Sequence, residues 1–578
     1  MKESCREVKE SFREVKESCR GVQRRECLRM GMFLNSFIPY EAYRDIKAGR
    51  FFVDKTRLIG EVLKMVVEDR QKYICITRPR RFGKSVMTHM LGAYLGRYAD
   101  AGEIFDDLAI AGTDLYREHL NKYNVIYIDL SKIPENCRTY QAYQDRISEG
   151  IRKDLLKAYA GAVEDADRSV WDILSDVYRQ TGEKFVFIMD EWDAVFHMPF
   201  ITEEERKAYL LFLKNLLKDQ VYTGLAYMTG ILPIAKYSDG SELNMFLEYS
   251  MTAKVRFGEY FGFSDAEVDA LFKKYQEMTP DPRITREDLR IWYDGYYTAA
   301  GERMYNPRSI VTALSDNQLA NYWTSSGTYD SVFQYVKYNI AAVQDELAIL
   351  FAGGRITADV QEYAATGMQL ETKDEIYSAM VVYGLLTYEH GCVSIPNKEV
   401  KDSFASMMKK ERSLGYIYEL AGVSRKMLAA TIAGDTKTMA DILEYAHNTE
   451  SLIFAYNSEM ELAAVVNLVY LAARDRYRVE REDKAGKGYV DFIFYPECKS
   501  EDAIILELKT DHTPEEAIRQ IREKAYALQF RGRLGEKTKY TGRVLAVGIS
   551  YSRKTKQHSC RVEVLAQDET EEKYSVRG

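Results

Sequence analysis

Two stretches of this 578-residue chain set phosphate-handling residue types at spacings that can do chemistry. In the first, RPRRFGKS (Arg78, Pro79, Arg80, Arg81, Phe82, Gly83, Lys84, Ser85) stands where an apolar run, YICIT (73–77), gives way to a helical pattern. Gly83 lets the backbone turn close to a phosphate, and a helix N-terminus offers its free N–H groups. Lys84 would reach the β- and γ-phosphates, and the Ser85 hydroxyl would ligate Mg²⁺. The general pattern GxxxxGK[ST] asks for glycine where this chain has Arg78, so the motif alone is weak. Further on, FVFIMDEWD (185–193) ends a second apolar run in Asp190 and Glu191. An Asp at that place can hold the Mg²⁺ shell, and the adjacent Glu can orient and deprotonate an attacking water. A third run, LAYMTG (225–230), ends in Thr229 and Gly230, suited to a polar sensor of the γ-phosphate. A carboxylate pair at a helix N-terminus is the plainer account of Asp-Glu after a strand. The order and spacing of all three features favour nucleotide binding and hydrolysis.

The second stretch joins GYVDFIFYP (488–496) to AIILELKT (503–510). Strand residues two apart project to one face, so Glu507 and Lys509 share a side, and Asp491 on the preceding strand can sit opposite them. Two carboxylates bind Mg²⁺, and a Lys beside them can position or activate the water that attacks a phosphodiester. Buried acids beside a Lys are costly unless paired or metal-bound. An edge-strand salt bridge between Glu507 and Lys509 fits the spacing equally well.

The elements that must position these residues follow from periodicity. From residue 37, strands at 73–77, 124–130, 185–190 and 225–230 alternate with helices, including 85–98 and 203–219, as in a parallel sheet covered on both faces. After about 236 the pattern turns mainly helical to about 450. Within it, EIYSAMVVYGLL, TYEHGCVSIPN and EVKDSFASMM read as helix, hairpin, helix. That order suits a winged-helix-like module or an all-helical connector with a surface hairpin. From 459 come a helix (459–473), strands at 488–496 and 503–510, a helix at 514–530 and a strand at 543–550. Thr513 and Glu516 are expected to form a capping box, with Pro514 at the first helical position. KESCREV, KESFREV and KESCRGV repeat at the N-terminus with a heptad spacing. They read as a coiled-coil arm or, as favoured here, a spurious extension upstream of a start at Met30 or Met32.

DKT (54–56), ITRPRRFGKS, DEWD, TGILPIAK (229–236), FGFSDAEV (261–268), WYDGY (292–296) and YNPRSI (305–310), in this order, resemble the AAA-ATPase-like family of bacterial proteins with a C-terminal PD-(D/E)xK nuclease superfamily domain. The resemblance implies an additional-strand P-loop core, with Lys84 and Ser85 in the phosphate loop, Asp190 on magnesium and Glu191 as the water-activating acid. Arg78 fits the family's own RPRRFGKS pattern. In the C-terminal part it implies a helix–strand–strand–helix–strand core with Asp491, Glu507 and Lys509 intact. Glu459 would be an additional metal acid, with Glu461 as its rival, and Gln520 and Tyr526 would support the site. The fold class expected is therefore α/β: a P-loop NTPase parallel sheet, a mainly helical middle region with the winged-helix-like option, and a C-terminal restriction-endonuclease-like domain. The expected divisions are 1–29, 30–235 (ATPase core), 236–330 (its helical part), 331–450 (connector) and 451–578 (nuclease-like domain).

Composition sets outer limits. The hydrophobic share of 46% and charged share of 29% are those of a globular protein. No run of 18 apolar residues suggests a membrane span. Eight cysteines without a CxxC pair suggest reduced thiols and a cytoplasmic location, and give no zinc signal. The net charge of −8 disfavours a uniformly basic nucleic-acid binder, yet Ala517 to Gln557 carries eleven Lys and Arg against two acids. That local excess suits a phosphate backbone. The expectation is an ATP- and Mg²⁺-dependent ATPase coupled to a Mg²⁺-dependent nuclease acting on nucleic acid, DNA being favoured. The alternative is an NTPase switch or scaffold whose C-terminal domain binds nucleic acid without cutting. A homo-oligomeric ring and a monomeric switch both stay open.

Overall fold

In the computed structural model, residues 30–565 are described except 98–99, 136, 164, 166, 199, 235–241, 324–339, 361–371, 411, 449–458, 486–487, 497, 499, 525 and 527–541. The N-terminal heptad repeats lie outside the described residues. The chain divides into two units: 1–323 with 360–368 and 378–389, and 324–359 with 369–377 and 390–578.

The first unit is built on strands β1 (Tyr73–Thr77), β2 (Asn124–Asp129), β3 (Phe185–Asp190), β4 (Thr223–Gly230) and β5 (Leu247–Tyr249). All pair in parallel, in the order β2-β3-β4-β1-β5. Each of the first four is almost wholly buried and apolar, as strands covered on both faces must be. β4 lies between β1 and β3, which is the additional strand that the resemblance implied. The register brings Thr77 beside Gly230, and Asp129 beside Asp190, so the polar strand ends share one edge of the sheet. Ligands of open α/β sheets bind at that edge. Helix α1 (Lys84–Leu95) leaves β1 there, and α2 (Glu203–Leu217) starts with a complete capping box between Thr202 and Glu205. β5 falls where the sequence pattern reads as helical. It is three residues long, held by pairing to β1 and not by any periodicity of its own.

The second unit contains a five-stranded sheet in sequential order: β6 (Tyr477–Ala485), β7 (Gly488–Pro496), β8 (Ala503–Thr510), β9 (Val544–Ser552) and β10 (Gln557–Leu565). Only β8 and β9 run parallel; the other neighbours are antiparallel. Helices α3 (Glu459–Val469) and α4 (Pro514–Glu523) belong to the same unit. Ile518 and Ile521 of α4 pack with Val490, Ile493, Ile505, Val544 and Ala546. Gly548 permits this close approach, since a Cβ there would meet the Pro514 carbonyl oxygen at 2.3 Å. Thr513 caps α4 by accepting the Glu516 N–H at 3.3 Å, but the reciprocal half of the expected capping box is not made. The Glu516 carboxylate bonds the His512 ring instead, at 2.8 Å.

Candidate functional site

The phosphate loop grows directly out of β1. The Arg78 N–H donates to the Gly230 carbonyl at 3.1 Å, carrying the strand pairing one residue further. The Arg78 guanidinium turns inward, donating to the Thr77 and Tyr249 carbonyls at 2.8 and 2.7 Å and lying 4.9 Å from the Phe261 ring centre. Burial lowers its pKa to about 10. What Arg78 can offer a nucleotide is therefore its backbone. Arg81 and Gly83 both take left-handed conformations, with φ of 69° and 86°, and wind the chain into α1. Phe82 is buried edge-on against Tyr296, and Asn306 donates to the Arg80 carbonyl at 3.4 Å. The WYDGY and YNPRSI motifs thus brace the loop from outside. Pro79 contributes a carbonyl: Lys84 Nζ donates to the Arg78 and Pro79 oxygens, each at 3.0 Å.

Around Lys84 the acids converge. Asp190 is buried, accepting from Thr229 Oγ1 at 2.5 Å and from Ser85. Burial raises its pKa, against the pull of those hydrogen bonds and of Lys84. Glu191 is also raised by burial, with Lys84 opposing. Lys84 itself is lowered by burial, with Glu191, Asp193 and Asp190 opposing. The structure thus brings together Lys84, Ser85, Asp190, Glu191 and Thr229, all five singled out by spacing. Donors for phosphate, a hydroxyl and carboxylate for a cation, and an acid for water meet at one sheet edge.

Trp192 and Asp193, the remainder of DEWD, were not legible as site residues. Trp192 N–H donates to the Thr229 carbonyl at 2.9 Å, and its indole N–H to the Leu232 carbonyl at 3.1 Å. One Asp193 oxygen accepts the N–H groups of Ile231 and Leu232, at 3.0 and 2.8 Å. Gly230 faces this turn so closely that a Cβ would sit 2.3 Å from Trp192 and 2.7 Å from Asp193. The repeated acid and the following TGIL were the available signal.

The second site lies on β7 and β8. The last registered pair is Phe492 with Leu506. One step beyond it, the Asp491 carboxylate accepts the Leu508 N–H at 2.7 Å, replacing the ladder. Glu507 is 3% exposed; one of its oxygens accepts from Lys509 Nζ at 3.2 Å and from Gln520 Nε2 of α4. Tyr526 supports β7 by donating to the Tyr489 carbonyl. The Glu507–Lys509 ion pair is made, but β8 is central in the sheet, so it is not an edge-strand pair. Glu507 has its pKa pushed up to about 7, by burial first and by Asp491 second, with Lys509 opposing.

Glu507 Oε2 has no hydrogen-bond partner among the described residues. A buried carboxylate oxygen without a donor, facing a second carboxylate, fits a divalent cation. The side chain of Glu459 lies outside the described residues. Among those described, no group of three His, Cys, Asp or Glu is placed to hold a metal. The basic excess is also smaller in space than in sequence. Arg522, Arg543 and Arg553 pair with Glu563, Asp502 and Asp511, acids outside the counted segment.

The first unit thus has the parallel sheet and strand order of an additional-strand P-loop NTPase fold, and the second sets two acids and a lysine on neighbouring strands of a mixed sheet. Comparison with known proteins agrees region by region. Residues 39–238 match the family model described as predicted AAA-ATPase, and residues 458–557 match the PD-(D/E)XK nuclease superfamily. The "uncharacterized protein in vnfD 5′ region" of Azotobacter chroococcum mcd 1 is 24% identical over 542 residues, covering 87% of this chain and 93% of that one. Among solved structures, the Walker-type ATPase of Pyrococcus abyssi is 13% identical over 61% of this chain and 94% of its own, with a TM-score of 0.34. The ORC2 protein of Aeropyrum pernix is 13% identical over 61% and 92%, with a TM-score of 0.30. Among the described residues no helix is long and apolar enough to cross a membrane.

Proposed function

We propose that this chain is a cytoplasmic, Mg²⁺-dependent ATPase coupled to a nuclease that cuts nucleic acid, DNA in the first place. The observation that carries the nuclease part is the Glu507 oxygen left without a donor beside Asp491 and Lys509. Ser85 and Asp190 would hold the cation of the nucleotide, and Asp491 and Glu507 that of the phosphodiester site. Bound there, a divalent cation supplies Lewis-acid stabilisation of phosphoryl oxygens and a water of lowered pKa.

The chain's own residues do the rest. Lys84 exchanges its two carbonyl partners for phosphate oxygens, which offer a full negative charge to a buried ammonium. The N–H groups of the first turn of α1 receive the same phosphates. Glu191 takes the proton of the attacking water, and its raised pKa suits that task. In the second site Gln520 and Lys509 fix the Glu507 carboxylate, and the Lys509 ammonium holds the attacking water against the phosphodiester. Coupling of the two activities is drawn from their presence in one chain. The residue divisions expected from sequence, and assembly into a homo-oligomer, are part of the same proposal.

The second reading is a nucleotide switch whose C-terminal domain binds nucleic acid without cutting it. Incubating the full chain with Mg²⁺ and ATP on plasmid, linear and single-stranded DNA and on RNA decides between them. Cleavage abolished by Asp491→Ala supports the nuclease; binding without cleavage of any substrate supports the switch.

A further inference from the structure

The clamp between DEWD and TGIL has a role that the phosphate loop and the two catalytic acids do not account for. Glu191 stands at a left-handed backbone position, φ 53°, where a residue with a Cβ is strained. It sits between Asp190, tied to Thr229, and Trp192, tied to the Thr229 and Leu232 carbonyls. A strained residue persists only where its surroundings over-determine it. Here the surroundings are Asp193, buried and accepting two consecutive N–H groups of the segment that leaves β4. Tyr209 adds a bond from its hydroxyl to the Trp192 carbonyl at 2.7 Å, so the turn is held from α2 as well. The absence of room for a Cβ at Gly230 shows how tightly the two segments meet.

We propose that Asp193 is the positioning residue of the ATPase site: by holding the β4 exit against the turn after β3, it fixes the Glu191 carboxylate and the Thr229 hydroxyl in one rigid body. It acts through Glu191; although it is also one of the three acids around Lys84, nucleotide affinity is assigned to the phosphate loop and the first turn of α1. The inference rests on the proposal that Glu191 activates water.

The test uses the full chain with Asp193→Ala, Asp193→Asn and Gly230→Ala, measuring steady-state ATP turnover and the Kd for a fluorescent ADP analogue. Asp193→Ala is expected to lower kcat by ten- to a hundredfold while KM and the analogue Kd stay within threefold. Asp193→Asn keeps an oxygen that can accept both N–H groups, and is expected to hold kcat within threefold of the parent. Gly230→Ala forces the clamp open from the other side and should reproduce the Asp193→Ala split. Unchanged kcat in Asp193→Ala overturns the proposal, as does Asp193→Asn falling as far as Asp193→Ala. Loss of analogue binding in both Asp193→Ala and Gly230→Ala also overturns it, because it makes the clamp a general support of the fold. Glu191→Gln separates the layers. If it leaves turnover intact, the assignment of Glu191 is what fails; if it abolishes turnover while the Asp193 variants are normal, only the positioning role falls.

Discussion

Both sites bury carboxylates, at strand ends in the first and within strands in the second, but they satisfy them in opposite ways. At the first, Asp190 accepts from Thr229 and Ser85, Asp193 accepts two backbone N–H groups, and Lys84 sits among three acids. At the second, Glu507 keeps one oxygen without a donor and Asp491 raises its pKa further. The first arrangement is close to self-sufficient, and its ligand replaces contacts that already exist. The second is incomplete, and its ligand supplies a contact that the fold lacks. Any ligand that binds the folded chain stabilises it by mass action, but only at the second site does a cation also relieve a buried carboxylate oxygen that has no donor among the described residues.

The strongest way to break this comparison is to remove one site and ask whether the other survives. Lys84→Ala is expected to lower ATP turnover at least a hundredfold, because it removes the ammonium at the start of the helix that would meet the β- and γ-phosphates. Asp491→Ala is expected to abolish nucleic-acid cleavage, measured on labelled DNA, while ATP hydrolysis without DNA stays within twofold. If Asp491→Ala abolishes basal ATP hydrolysis too, the sites do not stand on separate supports.

A smaller effect tests the orphaned oxygen. The Glu507 pKa in the folded chain is about 7, above its ordinary value of 4.5. A carboxyl raised in this way contributes stability that is full below pH 4.5 and lost as the pH climbs through 7, when the folded chain must hold a desolvated charge. The difference is on the order of 3 kcal/mol. In EDTA at pH 8, Glu507→Gln should therefore unfold several degrees above the parent; at pH 5.5 the gap should fall to less than half, and it should nearly close only below about pH 4.5. Mg²⁺ at pH 8 should raise the parent and leave the variant unmoved. Thermal scans showing no gain for Glu507→Gln at pH 8 would falsify the contrast drawn between the two sites.

Much of this was legible in the sequence because it was written in long apolar runs. Four buried strands end in Thr77, Asp129, Asp190 and Thr229-Gly230, and a parallel sheet must bring such ends to one edge. What was not legible depends on partners distant in the chain. β5 exists only by pairing with β1. β6, YRVEREDKA, is an edge strand whose charges hide its alternation, and such charges are how edges avoid unwanted pairing. Arg78, where the general pattern has glycine, reads as part of the phosphate loop, yet carbonyls of Thr77 and Tyr249 claim its side chain. The basic count from Ala517 to Gln557 missed Asp502, Asp511 and Glu563, acids brought in by the sheet.

The smallest effect concerns helix starts, where the two units again differ. At α2 the Glu205 carboxylate returns to the Thr202 N–H at 2.7 Å, and Thr202 accepts the Glu205 N–H, so both orphan donors are met. At α4 only Thr513 caps, and Glu516 is turned to His512 on the surface. Removing either cap hydroxyl, by Thr202→Ala or Thr513→Ala, should cost about 1 kcal/mol. The carboxylates should separate. Glu205→Ala leaves an N–H unmet and should cost about 0.5–1 kcal/mol, whereas Glu516→Ala loses an exposed pair and should cost only a few tenths. Urea unfolding of the full chain, followed by a probe in each unit, resolves the two. Equal losses would mean that Glu516 closes its box in solution, and that the helix carrying Gln520 is pinned as firmly as those of the first unit.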